Sequence, residues 1–481
     1  MNRKPTISAP DLENYQLPNQ FTIGEHTYIT ETRTYKLITP LFGGGVEAGV
    51  NDPITPIRAS GIRGQLRFWW RAIRGGGYSS IEKMREEESK IWGSASTSSD
   101  SEKNQQLFRS VQINVTEVIH IEEQGVPMVI KPYKVEEKTN EPNKFITKPN
   151  KQNVVPLYIA FPLQPTSEEA QQIGKENRHD QIKYLTNNLK FTLEITYPES
   201  FKLEIQAALW AWETFGGVGG RTRRGFGSIR RTDDLTYPDT MKDFKPWLDT
   251  NFKKYSLLKH LHRFPQLEIH NSLRFMIFYK TIKSGLFGMW RNLIENFRDF
   301  RQAKNDDGRS SWPEPNQIRR ITKQHLKHHN PDNVQAGQQH KIIKAFPRAQ
   351  FGLPIIFQFK DNRYGSDRKD LDPRPTTLGL VNPNDSKKES ERLASPLILK
   401  TFQCTNGDSI GLAFILSGTE LSSNMELSLK ANPSNPIDPK PEDLRFLLRD
   451  NEMLDINSIS VEGNILEAFL AYLEGKMPKE K

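Results

Sequence analysis

Two stretches of this chain draw their basicity from arginine alone, and both are threaded with glycine. Residues 56–75 read PIRASGIRGQLRFWWRAIRG, and residues 216–231 read GGVGGRTRRGFGSIRR. Neither holds a Lys, Asp or Glu, and their ten arginines exceed the net charge of the whole 481-residue chain, +9. Basicity is therefore concentrated at two places, and the remainder is close to neutral. A guanidinium offers a rigid fork of donors that suits phosphate, and glycine lets a backbone come close to a ligand. The two segments point to a polyphosphate partner, nucleic acid before any other.

Local patterning sets both segments at helix boundaries. Residues 34–39 read as a strand, and Pro40 opens a glycine turn through Gly43 and Gly44. Ser60 is a suitable N-cap for a helix whose apolar positions Ile62, Leu66, Trp69 and Ile73 recur at helical spacing. Arg63, Arg67, Arg71 and Arg74 fall on a second stripe. Gly64 costs about 1 kcal/mol inside a helix, so something is expected to approach closely there. A charged helix at 81–92, a strand at 110–121, a surface insertion at 134–156 and a strand at 189–197 follow. A helix at 203–215 runs into the second segment, and 226–230 reads as a strand.

That order is the βαββαβ of a ferredoxin-like domain, the layout of an RNA-recognition module. The start of its first helix and the end of its second are neighbours, so the ten arginines are expected to serve one groove. A first domain over 1–235 and a bridging segment at 236–270 lead to a second domain over 271–481. Strands are expected there at 273–280, 353–359, 395–402 and 410–416, helices at 286–300 and 461–473, and loops at 306–333, 360–388 and 430–441. The fold class expected is α+β, two ferredoxin-like (RRM-like, βαββαβ) domains with long insertions.

No run approaches 18 consecutive apolar residues, the N-terminus lacks the apolar core of a secretory signal, and Cys404 is the single cysteine. A cytoplasmic protein with no membrane association is expected. The second segment lacks the Gly-Lys-Ser/Thr of a phosphate-binding Walker loop, and it follows a helix where a dinucleotide-binding loop would precede one. No acid stands within either segment, so the repulsion among Arg58, Arg63, Arg67, Arg71 and Arg74 calls for a partner. With Ser60, Arg221, Arg223 and Arg224 they form the candidate phosphate contacts. Gly43, Gly44, Gly61, Gly64, Gly217, Gly219, Gly220 and Gly225 are candidates for close backbone approach. Trp70 and Phe68 lie off the apolar stripe and are candidates for base stacking, whereas Trp69 and Trp212 read as core. His325, His328, His329 and His340 have no carboxylate or cysteine partner at a zinc spacing, so no metal or cofactor is expected.

The run Ile57 to Arg71 (IRASGIRGQLRFWWR) and the run Gly216 to Ser228 (GGVGGRTRRGFGS) resemble motifs of the RAMP superfamily of CRISPR systems. Thr39 to Gly44 (TPLFGG), Phe68 to Arg71 (FWWR), Phe346 to Pro354 (FPRAQFGLP) and Arg392 to Ile398 (RLASPLI) narrow the match. Together they are similar to the first-subunit family of the Cmr complex, the type III-B RNA-guided effector. The resemblance implies two ferredoxin-like domains and a non-catalytic role capping the 3′ end of a guide RNA. It implies guide RNA, target RNA and the other Cmr effector subunits as partners. It also adds Arg348, Arg392 and Lys400 as RNA contacts in the second domain. The alternative is a metal-independent endoribonuclease that processes precursor CRISPR RNA, as relatives in the superfamily do.

Overall fold

The computed structural model describes residues 19–45, 49–93, 111–122, 127–151, 154–256, 275–279, 285–305, 309–326, 330–331, 343–359, 372–382, 392–417, 425–431, 435–436, 444–450 and 452–476. In the first half, His26–Leu37 (β1), Ala59–Arg74 (α1), Gln112–His120 (β2), Leu189–Pro198 (β3), Lys202–Phe215 (α2) and Ile229–Arg231 (β4) follow in βαββαβ order. The strands form one antiparallel sheet in the order β4–β1–β3–β2, with Gln20–Ile23 also paired to β1. In β3, Leu189, Phe191, Leu193, Ile195 and Tyr197 are buried and alternate with half-exposed polar residues, the period of a sheet covered on one face. The register sets Tyr35 opposite Phe191, and their rings stack at 5.2 Å.

Helices α1 and α2 cover that face. α1 buries Ile62, Leu66, Trp69 and Ile73, the stripe its spacing predicts. It begins two residues earlier than expected: Arg58 is the N-cap residue, no side chain caps it, and Ser60 lies inside the first turn. Trp70 is also buried, and its Nε1 donates to Glu204 of α2 at 2.7 Å. A sixteen-residue helix wedged between a sheet and a neighbouring helix buries a wider arc than one stripe, which removes Trp70 from the candidates for stacking.

The second half adds Met241–Tyr255 (α3), Phe275–Tyr279 (β5), Gly285–Gln302 (α4), Leu397–Gln403 (β6), Ser409–Ile415 (β7) and Ile465–Lys476 (α5). Strands β5, β7 and β6 form an antiparallel sheet in that order, and no fourth strand joins it among the described residues. A separate sheet is built from Ile355–Phe357, Thr376–Val381, Glu426–Ala431 and Asn435–Pro436. The molecule is thus a mixed α and β structure of small antiparallel sheets. The two halves share their cores: Phe402, Leu412 and Phe414 pack into the apolar cluster beneath the first sheet, and Phe42 and Phe226 pack with Met289, Trp290 and Leu293.

Three stretches expected as loops carry structure. Within 134–156, Tyr133–Lys138 and Glu141–Pro149 form a hairpin. Its lysines and glutamates pair with one another, as in Lys134–Glu136 and Lys138–Glu141, while Val135 and Phe145 pack on Ala170 and Ile173. Residues 314–322 are helical, and Thr376–Val381 is a strand within 360–388. Of the expected bridge, 257–270 lies outside the described residues, as do His328, His329 and His340.

Candidate nucleic-acid interface

The turn after β1, the first turn of α1 and the loop after α2 converge on one groove of about 720 Å³. Phe42, Gly43, Gly44 and Gly45 form one wall; Arg58, Ser60, Gly61 and Gln65 a second; Gly217, Val218, Gly219, Gly220 and Arg221 a third. Arg392 and Pro162 complete the rim. The first intrahelical hydrogen bond of α1 runs from the Ile62 amide to the Arg58 carbonyl at 3.1 Å. The amides of residues 59–61 precede it in the helix, so the groove combines a helix N-terminus, with no acid in its first turn, and three guanidinium groups. Eight glycines and three arginines are eleven of the nineteen residues that line it. Such a groove suits a polyanion more than a small apolar ligand.

The structure gives the other arginines different work. Arg67 donates to Glu88 at 2.7 Å, and Arg71 pairs with the same buried carboxylate, which comes from the helix Ile81–Trp92. Arg74 is buried, pairs with Glu204 and donates to the Tyr255 carbonyl at 3.0 Å. Arg63 donates to the Trp92 and Val111 carbonyls at 3.0 and 2.6 Å. The expectation that a partner must offset these charges is therefore corrected in part: Glu88 and Glu204, distant in sequence, offset those of Arg67, Arg71 and Arg74, while carbonyls satisfy the donors of Arg63. Arg58 keeps a place on the groove while paired with Asp52 at 2.9 Å.

Arginines of the second segment fasten the glycine loop to the second half. Arg223 donates to the Ser395 carbonyl, and Arg224 to the Leu397 carbonyl at 2.6 Å. The Arg224 guanidinium lies 4.8 Å from the Phe297 ring centre, and burial pushes its pKa down to about 9. Trp290 Nε1 donates to the Arg224 carbonyl at 2.8 Å. Lys400 is fully buried and donates to the carbonyls of Glu213 and Gly216, at 3.0 and 2.6 Å, at the C-terminal end of α2. Burial pushes its ammonium down to about 7. Arg348 pairs with the buried Glu314 at 3.1 Å. Lys400 is thus closed off inside the fold, a correction to its expected place among RNA contacts, and the half-buried Arg348, Arg223 and Arg224 fasten the fold and are not among the residues that line the groove. Residues that come from a resemblance or from charge alone carry no information about the carbonyls and carboxylates that meet them.

The glycines divide in the same way. Gly44 has φ +121°, and a Cβ there would sit 2.7 Å from the Pro56 carbonyl oxygen, so the turn itself requires it. At Gly225, a Cβ would meet Trp290 Nε1 at 2.6 Å, so this glycine serves packing between the halves. Gly61 and Gly64 are exposed on α1, and a Cβ on either would meet nothing within 4 Å. Packing gives no reason for glycine at these two positions. Sequence reasoning missed Phe161 and Pro162, which end the short helix Leu157–Ala160 beside the groove; no motif or periodicity marks them.

Among the described residues no helix is long and apolar enough to cross a membrane, and no group of three His, Cys, Asp or Glu side chains is placed to hold a metal.

Residues 34–230, from within β1 to within β4, match the model of the RAMP superfamily. Among solved structures the chain is similar to Cmr1 from Pyrococcus furiosus in its apo form, at 15% identity and a TM-score of 0.41, over 94% of this chain and 97% of that one. It is also similar to a chain of the Type III-B Cmr-beta complex bound to cognate target RNA, at 14% identity and a TM-score of 0.40, over 93% and 100%. No curated protein matches the chain.

Proposed function

We propose that this chain is a non-catalytic, RNA-binding subunit of a type III-B (Cmr) CRISPR effector, placed at the 3′ end of the guide RNA and contacting target RNA beside the other subunits. Two ferredoxin-like domains, over 1–235 and 271–481, joined by 236–270, would carry it in the cytoplasm. The observation that carries this reading is the groove. Three glycine-lined walls, all within the stretch that matches the RAMP-superfamily model, meet the start of α1 and the side chains of Arg58, Arg221 and Arg392 on one surface. Each element suits a phosphate oxygen: amides at a helix start, guanidinium forks, and backbone without side chains to keep the strand away.

Single-stranded RNA is expected to bind the purified chain with an affinity that falls as salt rises. Arg58→Ala with Arg392→Ala is expected to weaken binding markedly, because both lie on the groove and neither holds the core. Binding that is absent, or unmoved by the double substitution, overturns the reading. Incubation with labelled RNA in the presence of EDTA is expected to leave the RNA intact. Discrete cleavage abolished by one His substitution would instead establish the nuclease.

A further inference from the structure

We infer that Phe161, with Arg221 beneath it, is a stacking platform for one unpaired nucleobase of the bound strand. This deepens the RNA-binding reading and rests on it. Phe161 is 58% exposed at the end of the short helix Leu157–Ala160. A lone exposed apolar residue needs no explanation. What singles this one out is its setting. The Arg221 guanidinium lies 5.0 Å from the centre of the Phe161 ring and 5.3 Å from that of the buried Phe42. The same guanidinium donates to the Ile159 carbonyl at 3.2 Å, which ties the glycine loop to the helix that ends at Phe161.

Arg221 reaches this position from the left-handed region, φ 56° and ψ 26°, which a non-glycine side chain adopts only at a cost. The other apolar residues that are comparably exposed, Ile23, Ile54, Leu235, Ile356, Leu447 and Met453, have no ring to stack. Pro162 and Arg221 both line the groove, so the exposed ring stands at its edge, where a base would lie if the backbone followed the glycine walls. Every base has a π face, so such a platform holds a strand without reading its sequence. A cation over an aromatic ring adds its own attraction and fixes the ring in place. A protein partner would not call for three guanidinium groups among eight glycines, which are most of the residues lining the neighbouring groove.

The test uses the full-length chain and single-stranded RNA oligonucleotides carrying one abasic site at successive positions. Wild type is expected to bind one of these roughly 5- to 150-fold more weakly than the intact strand, and Phe161→Ala to bind both equally. Phe161→Trp is expected to keep the wild-type profile, and Phe161→Leu, which keeps an apolar side chain without the ring, to behave like Phe161→Ala. RNA that binds tightly with no abasic penalty, or with a penalty that Phe161→Ala leaves unchanged, overturns the platform while the RNA-binding reading stands. Failure of wild type to bind any single-stranded RNA overturns both. In an assembled effector, a photocrosslink from position 161 to a protein subunit, with none to RNA, also overturns the platform and assigns the ring to subunit docking.

Discussion

The two arginine-rich segments look alike in sequence and are used differently in the fold. On α1, three of the four arginines beyond the first turn meet carboxylates: Glu88 takes Arg67 and Arg71, and Glu204 takes Arg74, while Arg63 meets two carbonyls. In the loop after α2, Arg221, Arg223 and Arg224 meet carbonyl oxygens instead, from Ile159, Ser395 and Leu397. A carboxylate cancels the charge, whereas a carbonyl satisfies the donors and leaves the charge in place. The helix face is therefore partly neutralised, two carboxylates against four arginines, and the loop keeps all of its charge beside the groove. A count of arginines cannot separate these cases; only the acceptor can.

The largest effect expected from this contrast is at Glu88. Glu88→Ala removes the one carboxylate that serves two arginines and is expected to cost about 3 kcal/mol in denaturant unfolding, tempered because Arg67 keeps part of its side chain in water. RNA affinity is expected to change little. A variant as stable as wild type would mean that the helix arginines stand free for a ligand.

Lys400 gives the next. Below about 7 both folded and unfolded chains carry its proton; between about 7 and 10.5 the unfolded chain binds a proton that the folded one does not. Stability is therefore expected to rise with pH through that window. Lys400→Met orphans two carbonyls at the end of α2 and is expected to cost about 2 kcal/mol at pH 9, less at pH 6. Melting temperatures across pH 6–9.5 for both chains check this. A wild-type curve that falls through the window, or a variant with the same slope, contradicts the assignment.

The glycines offer a smaller and opposite pair of effects. Gly44→Ala is expected to cost about 2 kcal/mol, from its φ of +121° and the Pro56 carbonyl. Gly64→Ala is expected to add about 1 kcal/mol of stability, since the helix gains propensity and a Cβ there meets nothing. If RNA lies over α1, the stabilised Gly64→Ala variant binds it more weakly. Unchanged affinity would remove Gly64 from the interface.

These cases show what the sequence makes legible. The alternation of β3, the stripe of α1 and the βαββαβ order rest on periodicity and neighbouring residues, and the structure has them with ends shifted by a few positions. The convergence of Gly43, Gly61 and Gly219 on one groove follows from that order. What stayed hidden depends on distant partners. Glu204 lies 130 residues from Arg74, and the carbonyls that hold Lys400 lie 187 and 184 residues away. Trp70 sits outside the predicted stripe yet is buried, because α2 covers a second side of α1. Phe161 belongs to a four-residue helix and a single turn, too short to show any period.

The central claim is that RNA is held by the groove arginines and not by the arginine face of α1. The salt dependence of single-stranded RNA binding tests it most directly. Three groove guanidinium groups, each neutralising one phosphate once Arg58 exchanges Asp52 for it, give a log–log slope of about −2. The slope is expected to shrink by about 0.7 with Arg392→Ala and again with Arg58→Ala, and to stay put with Arg67→Ala or Arg71→Ala. A slope that responds to Arg67 and Arg71 but not to Arg58 and Arg392 would contradict the account.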